Sequence, residues 1–404
     1  MSKKIGFLGD QIHPMQFRIL CLALFFLFSG ISGRSQTRLS LLTCGPGDQM
    51  YALFGHTAIR VQDSLRGTDH VFNFGVFDFD TPNFTWKFMR GTLMYKLDIQ
   101  EFQGFLPEYQ YEGRSVIEQE LLLDEAGEAA IIAFLAENYQ SDKRYYRYDF
   151  FFDNCSTRTR DVFEKVLKER LKYRFPESES LPTFRDMIDP FIGHDSWLDF
   201  GIDILLGAPT DWTADERGQM FLPAFLSSNL AYGVVDETRP LLSPPVTFLE
   251  PALGNGTGAM VKPAWVFWLL LPFFALMWAY LPKIRQVLIL DAVFWIFYGL
   301  VGCLIAFMWF GTSHLATNSN WNLLWLNPLQ FAVGISLLLR PRAKWLPLFG
   351  WFQLLSLLAY LIAWQATSLE MHFASIPLII LLVLQSLRLA DFKIKRPKNP
   401  DFLK

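Results

Sequence analysis

Hydropathy along the chain falls into three regimes. A short basic start with Lys3, Lys4 and Arg18 leads into the apolar run Ile19 to Phe28, followed by the small residues Ser29, Gly30, Ser32 and Gly33. That pattern predicts an export signal over residues 1–36. Residues 37–260 mix polar and apolar positions. Residues 261–404 carry apolar segments at 264–281, 287–310, 322–339, 346–364 and 373–390. Each is near the roughly 20 residues a spanning helix needs. They predict an all-α five-helix transmembrane domain that ends in a basic tail.

Within 37–260 the periodicity changes along the chain. Thr57-Ala58-Ile59-Arg60-Val61 alternates in polarity, a turn follows over Asp63 to Asp69, and Val71-Phe72-Asn73-Phe74 alternates again, which predicts a strand pair. Residues 124–139 read as a helix. The aromatic run Tyr145 to Phe152 leads to Asp153-Asn154-Cys155, after which Val162, Phe163, Val166, Leu167 and Leu171 recur at helical spacing. The expected class is α+β. Asp203 to Gly207 and Phe221 to Phe225 are apolar pieces expected to pack, with grazing the membrane as the alternative, while Ser243-Pro244-Pro245 and Gly254-Asn255-Gly256 read as loops and a linker.

Charge adds an orientation. Lys283 and Arg285, then Arg340, Arg342 and Lys344, then Lys393, Lys395, Arg396 and Lys398 occupy alternate connections, while 311–321 and 365–372 carry no Lys or Arg. Positive charge on the cytoplasmic side places the tail inside and residues 37–260 outside, in agreement with the export signal. The outward loops hold His314, Asn318, Asn320 and Asn322, and Glu370 and His372. They are expected to form a rim facing the exported domain that helps seat a lipid or its headgroup. No basic run interleaved with aromatics suggests nucleic acid, and no Gly-rich phosphate loop or other cofactor motif occurs.

Two short motifs carry candidate chemistry: Phe54-Gly55-His56-Thr57, entering a strand, and Asp153-Asn154-Cys155, opening a helix roughly a hundred residues later. A thiol beside a base is the minimum equipment for covalent acyl chemistry. With Asp153 or Asn154 as N-cap, Cys155 lies in the first helical turn, where the dipole and backbone N–H groups favour a thiolate and a developing oxyanion. Asn73 is within cross-strand reach of His56 once register allows. Arg60, on the His56 face by alternation, holds either a phosphate or carboxylate or a structural ion-pair partner. Cys44 and Cys155 are alternatively a disulfide in an oxidising compartment. Cys21 lies inside the apolar run, and Cys303 reads as packing in a membrane segment. No metal is expected, because His70 and His194 lack ligand partners at short spacing.

The order of histidine, strand and then Asn-Cys at a helix start resembles the circularly permuted papain-like superfamily, with the NlpC/P60 hydrolases and lecithin:retinol acyltransferase-like enzymes among its members. Cys44-Gly45-Pro46-Gly47-Asp48, Phe54 to Val61, Phe72-Asn73-Phe74-Gly75 and Asp153-Asn154-Cys155 look like the Lnb N-terminal periplasmic domain family of Bacteroidota. The tail with His314 and the stretch Asn318 to Pro328 is similar to the membrane half of those proteins. The resemblance implies a periplasmic papain-like thiol domain and a lipoprotein N-acyltransferase, with a membrane phospholipid as acyl donor and a diacylated lipoprotein as acceptor. It implies Cys155 as nucleophile, His56 as base and Asn73 (or His70) as the orienting residue. Arg60, Asn154, His314 and His372 make up the expected substrate-binding set. The rival expectation is a membrane-tethered cysteine amidase or peptidase. A third is a non-enzymatic membrane protein with a Cys44–Cys155 disulfide.

Overall fold

The computed structural model describes residues 37–177, 180–252, 261–280, 285–367 and 369–391. The expected export signal, Lys283, the glycine linker and the basic tail lie outside the described residues. The N-terminal region is α+β, and its main sheet runs β10-β5-β1-β2-β3-β4-β6 with every neighbouring pair antiparallel. The strands are β1 (Thr37–Cys44), β2 (His56–Asp63), β3 (Thr68–Val76), β4 (Met94–Glu101), β5 (Val116–Glu120), β6 (Tyr145–Arg147) and β10 (Val246–Leu249). β7 (Leu171–Tyr173), β8 (Gly233–Val235) and β9 (Arg239–Pro240) form a second, three-stranded sheet.

Alternation explains the layers. On one sheet face Leu39, Leu41, Ile59, Phe72 and Leu97 pack with Ile131 and Leu135 of the Glu125–Asn138 helix and Val162 and Phe163 of the Cys155–Leu167 helix. On the other, Leu42, Cys44, Ala58 and Val71 pack with Phe102, Phe105 and Tyr109 of the Phe102–Tyr111 helix. Strand β2 is central and covered on both sides, so Thr57, Ala58 and Ile59 are fully buried. The expected strand pair is therefore present, with Ala58 opposite Asn73.

The C-terminal region is helical. Pro263–Tyr280, Val287–Gly311 and Trp345–Ala366 are each long and apolar enough to cross a membrane, and Ser375–Ala390 is apolar but shorter. The expected span 322–339 is broken: a 3-10 turn at Trp321–Leu324 meets the Leu329–Leu339 helix at a 44° bend. Pro328, which disfavours helix in the residue before it, stands at the break. Polar groups turn inward here, as hydrocarbon demands. Asn327 Nδ2 donates to Gln353 Oε1 at 2.8 Å and Gln330 Nε2 to the Trp325 carbonyl at 2.6 Å, both glutamines being fully buried.

The outward loops meet the α+β domain. Gly207 N–H donates to the Ala316 carbonyl at 2.8 Å and Ser313 N–H to that of Arg90 at 2.9 Å, while Asn320 Nδ2 donates to the carbonyl of Ile204 at 2.9 Å. On the second loop, the Thr183 hydroxyl donates to Glu370 Oε1 at 2.8 Å.

Candidate active site

The site begins with a glycine. Gly55 has φ of +83°, and a Cβ there would come 2.5 Å from the Cys44 carbonyl oxygen, so only glycine lets the chain turn this tightly into His56. His56 opens β2 opposite Cys44. The register sets Asn73 diagonally across from it, and His56 Nε2 lies 3.1 Å from Asn73 Oδ1. Asn73 Nδ2 donates to the Val71 carbonyl at 3.3 Å, which turns its oxygen toward the imidazole. The proton of neutral His56 then sits on Nε2, leaving the Nδ1 lone pair for the thiol.

Cys155 arrives from the other direction, at the first turn of its helix. Asn154 is the N-cap: its Oδ1 accepts the N–H groups of Ser156 and Thr157, both at 2.9 Å, and the Thr157 hydroxyl accepts the Asn154 N–H at 2.7 Å. Its Nδ2 donates to the carbonyls of Phe150 at 2.7 Å and Phe221 at 2.8 Å. With every polar atom committed and 2% exposure, Asn154, expected among the substrate-binding residues, has a structural role at the helix start.

The electrostatics move each partner toward its charged form. Burial pushes the Cys155 thiol up, but the His56 charge and hydrogen bond, the Thr57 backbone N–H and the Ser156 hydroxyl outweigh it and hold the thiol below its ordinary value. Burial pulls His56 down, and the Cys155 charge, its hydrogen bond and that of Asn73 leave the imidazole raised instead. Cys44 differs: burial pushes it up to about 12, against a Tyr109 hydrogen bond and the Arg114 charge. Both cysteines are free thiols, which removes the disulfide alternative in this structure.

The remaining expected residues lie elsewhere. Arg60 shares the His56 face, yet it is buried in ion pairs with Asp69 (2.6 Å) and Glu118 (2.9 Å), its guanidinium 3.5 Å over the Phe102 ring. Of the two expected roles, the structure shows that of a buried ion-pair partner. His70, the alternative orienting residue, pairs with Glu101 at 2.9 Å. His314 Nε2 lies 3.2 Å from the Met89 carbonyl and His372 Nε2 lies 3.3 Å from Asp199 Oδ2, so both bind the α+β domain to the loops. Ligand atoms of Asp199, Asp203 and His372 lie within 4.8 Å of one another. However, His372 Nδ1 accepts the Ala374 N–H at 3.0 Å, which puts the ring proton on Nε2 and denies a metal that nitrogen. Asp203 also pairs with Arg185 at 2.6 Å, and the trio reads as an interdomain polar network.

Several residues at the site escaped sequence reasoning. Thr57 supplies its backbone N–H to the thiol and lies hydroxyl to hydroxyl with Ser156 at 3.1 Å. Gly75, at φ of +87°, brings the β3 end so close that its Cβ would sit 3.6 Å from that of Cys155 and 3.4 Å from the Tyr148 ring. The glycines flanking the motifs, in Phe-Gly-His and Phe-Asn-Phe-Gly, were the available signal. Phe54 packs at a tilt against Phe150, ring centroids 4.6 Å apart, so the residues ahead of His56 and Cys155 share one aromatic cluster, to which Ala316 of the outward loop also belongs. Asp149 joins them: Oδ1 accepts the N–H groups of Phe151 and Phe152, and Oδ2 accepts that of Leu315 at 3.4 Å.

Removing the Asn73 amide should leave His56 unanchored. A hydrogen bond to a charged group contributes about 1.5–3 kcal/mol. For Asn73→Ala that corresponds to a roughly ten- to hundredfold fall in the alkylation rate of Cys155 by iodoacetamide. An unchanged rate would show that Asn73 does not orient the base.

A model of the Lnb N-terminal periplasmic domain matches residues 33–189, and a model of the Lnb transmembrane domain matches residues 255–396. No curated protein and no solved structure matches the chain. His56, Asn73 and Cys155 all fall within the first match, and the loops bearing His314 and His372 fall within the second. With both domains matched in order, this chain is a membrane protein of the Lnb family whose N-terminal domain is periplasmic.

Proposed function

We propose that the protein is a lipoprotein N-acyltransferase with a permuted papain-like thiol site, working at the periplasmic face of the inner membrane with its C-terminal tail in the cytoplasm. The observation that carries this reading is that the aromatic residues leading into His56 and Cys155, Phe54 and Phe150–Phe151, pack in one cluster with Ala316 of the membrane loop, beside the Cys155–His56–Asn73 group. A thiol placed there meets substrates that are themselves lipid-anchored, and their concentration in the bilayer is a proximity effect. An amidase acting on soluble peptides would have no use for that seating.

The steps follow from the geometry. His56 takes the Cys155 proton, and Sγ attacks the carbonyl carbon of a phospholipid acyl ester. Asn154 caps the Ser156 and Thr157 N–H groups and leaves the Cys155 N–H, first in the helix, uncapped for the oxyanion. As the C–O bond breaks, His56 returns the proton to the departing glycerol oxygen, releasing lysophospholipid and leaving a thioester. The α-amine of a diacylglyceryl-cysteine lipoprotein then attacks the thioester, His56 accepts the amine proton, and the thiolate leaves. Expression in a bacterium that accumulates diacylated lipoproteins should add one acyl chain to the mass of a lipoprotein's N-terminal lipopeptide. No added mass from a well-inserted protein would reject N-acyl transfer.

The pKa directions set a pH window. Acid protonates the Cys155 thiolate, whose pKa is lowered, and alkali removes the His56 proton, whose pKa is raised, so kcat/KM should be bell-shaped. Asn73 helps raise His56, so Asn73→Ala should bring the alkaline limb to lower pH and move the acid limb less. An alkaline limb that stays in place would detach it from the His56–Asn73 pair.

A further inference from the structure

The sheet end that presents His56 also carries a cleft of about 230 Å³, lined by Asp78, Lys87, Thr92, Met94, Lys96 and Tyr145 among others. The pairings Ala58–Asn73, Asn73–Asp98 and Val76–Lys96 put Lys96 on the His56 face, two strands away, or roughly 10 Å by strand spacing. Val76, on the cleft wall, directly follows Gly75, the glycine that approaches Cys155. The Phe84–Met89 helix that supplies Lys87 exposes Trp86, Phe88 and Met89. It also meets the outer end of a membrane helix, where Trp86 lies 6.0 Å from Phe307 and Arg90 Nε donates to the Gly311 carbonyl at 3.2 Å. The segment that supplies Lys87 to the cleft is therefore joined to the Gly311 end of that apolar helix.

Charge in the cleft is unbalanced. Asp98 serves two cations at once, Lys96 at 2.8 Å and Arg144 at 2.7 Å, and Lys87 has no ion-pair partner among the described residues. Asp78 is the acid of the lining, and its Oδ1 accepts the Asp80 N–H at 2.9 Å. The lining itself carries two cations, Lys87 and Lys96, against one carboxylate, Asp78, beside hydroxyl groups of Thr81 and Thr92.

We propose that this cleft seats the phosphate of the donor glycerophospholipid, with Lys87 and Lys96 as its cationic contacts, while the glycerol carries the scissile ester toward Cys155. The proposal rests on the acyl-transfer reading and names the donor subsite for it. A phosphate lies only a few bonds from the acyl ester in such a lipid, which suits a seat two strands from the base. A diacylglycerol lacks the phosphate and should be a poor ligand.

Binding to the full chain in detergent, in a Cys155→Ala background so that no turnover occurs, tests this independently of acyl transfer. Titration with dihexanoyl phosphatidylethanolamine should give an affinity about tenfold tighter than with dihexanoylglycerol, the worth of one charge-assisted hydrogen bond. Lys87→Gln should remove most of that gap, and Lys87→Gln with Lys96→Gln should close it. Inorganic phosphate alone should bind far more weakly than the short-chain phospholipid. Equal affinity for the two dihexanoyl compounds, a gap that survives both substitutions, or inorganic phosphate binding as tightly as the lipid would each overturn the proposal. Because no covalent step is involved, failure of the acyltransferase reading would appear in the lipopeptide mass and not in these titrations.

Discussion

Cys155→Ser should lower acyl transfer by on the order of 10⁴-fold or more, with the protein still folded and inserted in the membrane. The substitution changes one buried atom, and the N-cap interactions of Asn154 do not involve the side chain lost. What disappears is ionisation: His56 and the Thr57 N–H favour a thiolate beside them, and a hydroxyl is far too weak an acid to respond. His56→Ala should fall by a comparable amount, because it removes both the charge that holds the thiol down and the proton carrier for both half-reactions. Acid-quenched wild-type protein incubated with phospholipid should carry an acyl group on the peptide containing Cys155. Cys44→Ser is the matching control. Cys44 is buried under the Phe102–Tyr111 helix with its thiol pushed up to about 12, and this variant should transfer at nearly the wild-type rate. Undiminished transfer by Cys155→Ala, or acyl label on Cys44, would remove the mechanism.

The reading of the chain succeeded where local pattern carried the information. Alternation over Thr57 to Val61 and Val71 to Phe74, together with Asn-Cys ahead of a helical period, located the strand pair, the cap and the thiol. Register was not legible, because it depends on which strands neighbour one another, and it is the pairing of Ala58 with Asn73 that selects Asn73 over His70. Arg60 shows the same limit. Its face was readable from period two, but its partner Glu118 is 58 residues away on a strand that reaches it only through β1. The membrane half was legible as apolar runs, and the break at Pro328 was not, since a hydropathy window averages over one proline. Least legible was the stretch from Phe184 to Asp211, whose short helices show no long period and whose partners are loops more than a hundred residues later. That stretch joins the two halves of the protein.

Gly207→Ala should therefore be far more damaging than an Ala at a loop glycine ordinarily is. A Cβ at this position would lie 1.9 Å from the carbonyl oxygen of Asn318 and 2.8 Å from its carbon, both backbone atoms that cannot rotate away. Relief requires the chain at Gly207 and the outward loop to part by an ångström or more, which strains the hydrogen bonds from Gly207 to Ala316 and from Asn320 to Ile204. Cys155 packs in the sheet-and-helix core, to which none of Ile204 to Ala208 belongs, so the thiol site itself should stay assembled. The expected result is a split: Cys155 alkylation by iodoacetamide near the wild-type rate, and acyl transfer from bilayer phospholipid reduced by about a hundredfold, the size a 1 Å misplacement can produce. Gly201→Ala, on the neighbouring helix with open space around its Cβ position, should leave both rates unchanged. If Gly207→Ala transfers acyl chains from bilayers as fast as the wild type, the seating of the site on the membrane loops is irrelevant to the reaction. A hydrolase that only happens to be anchored would then account better for the same three residues.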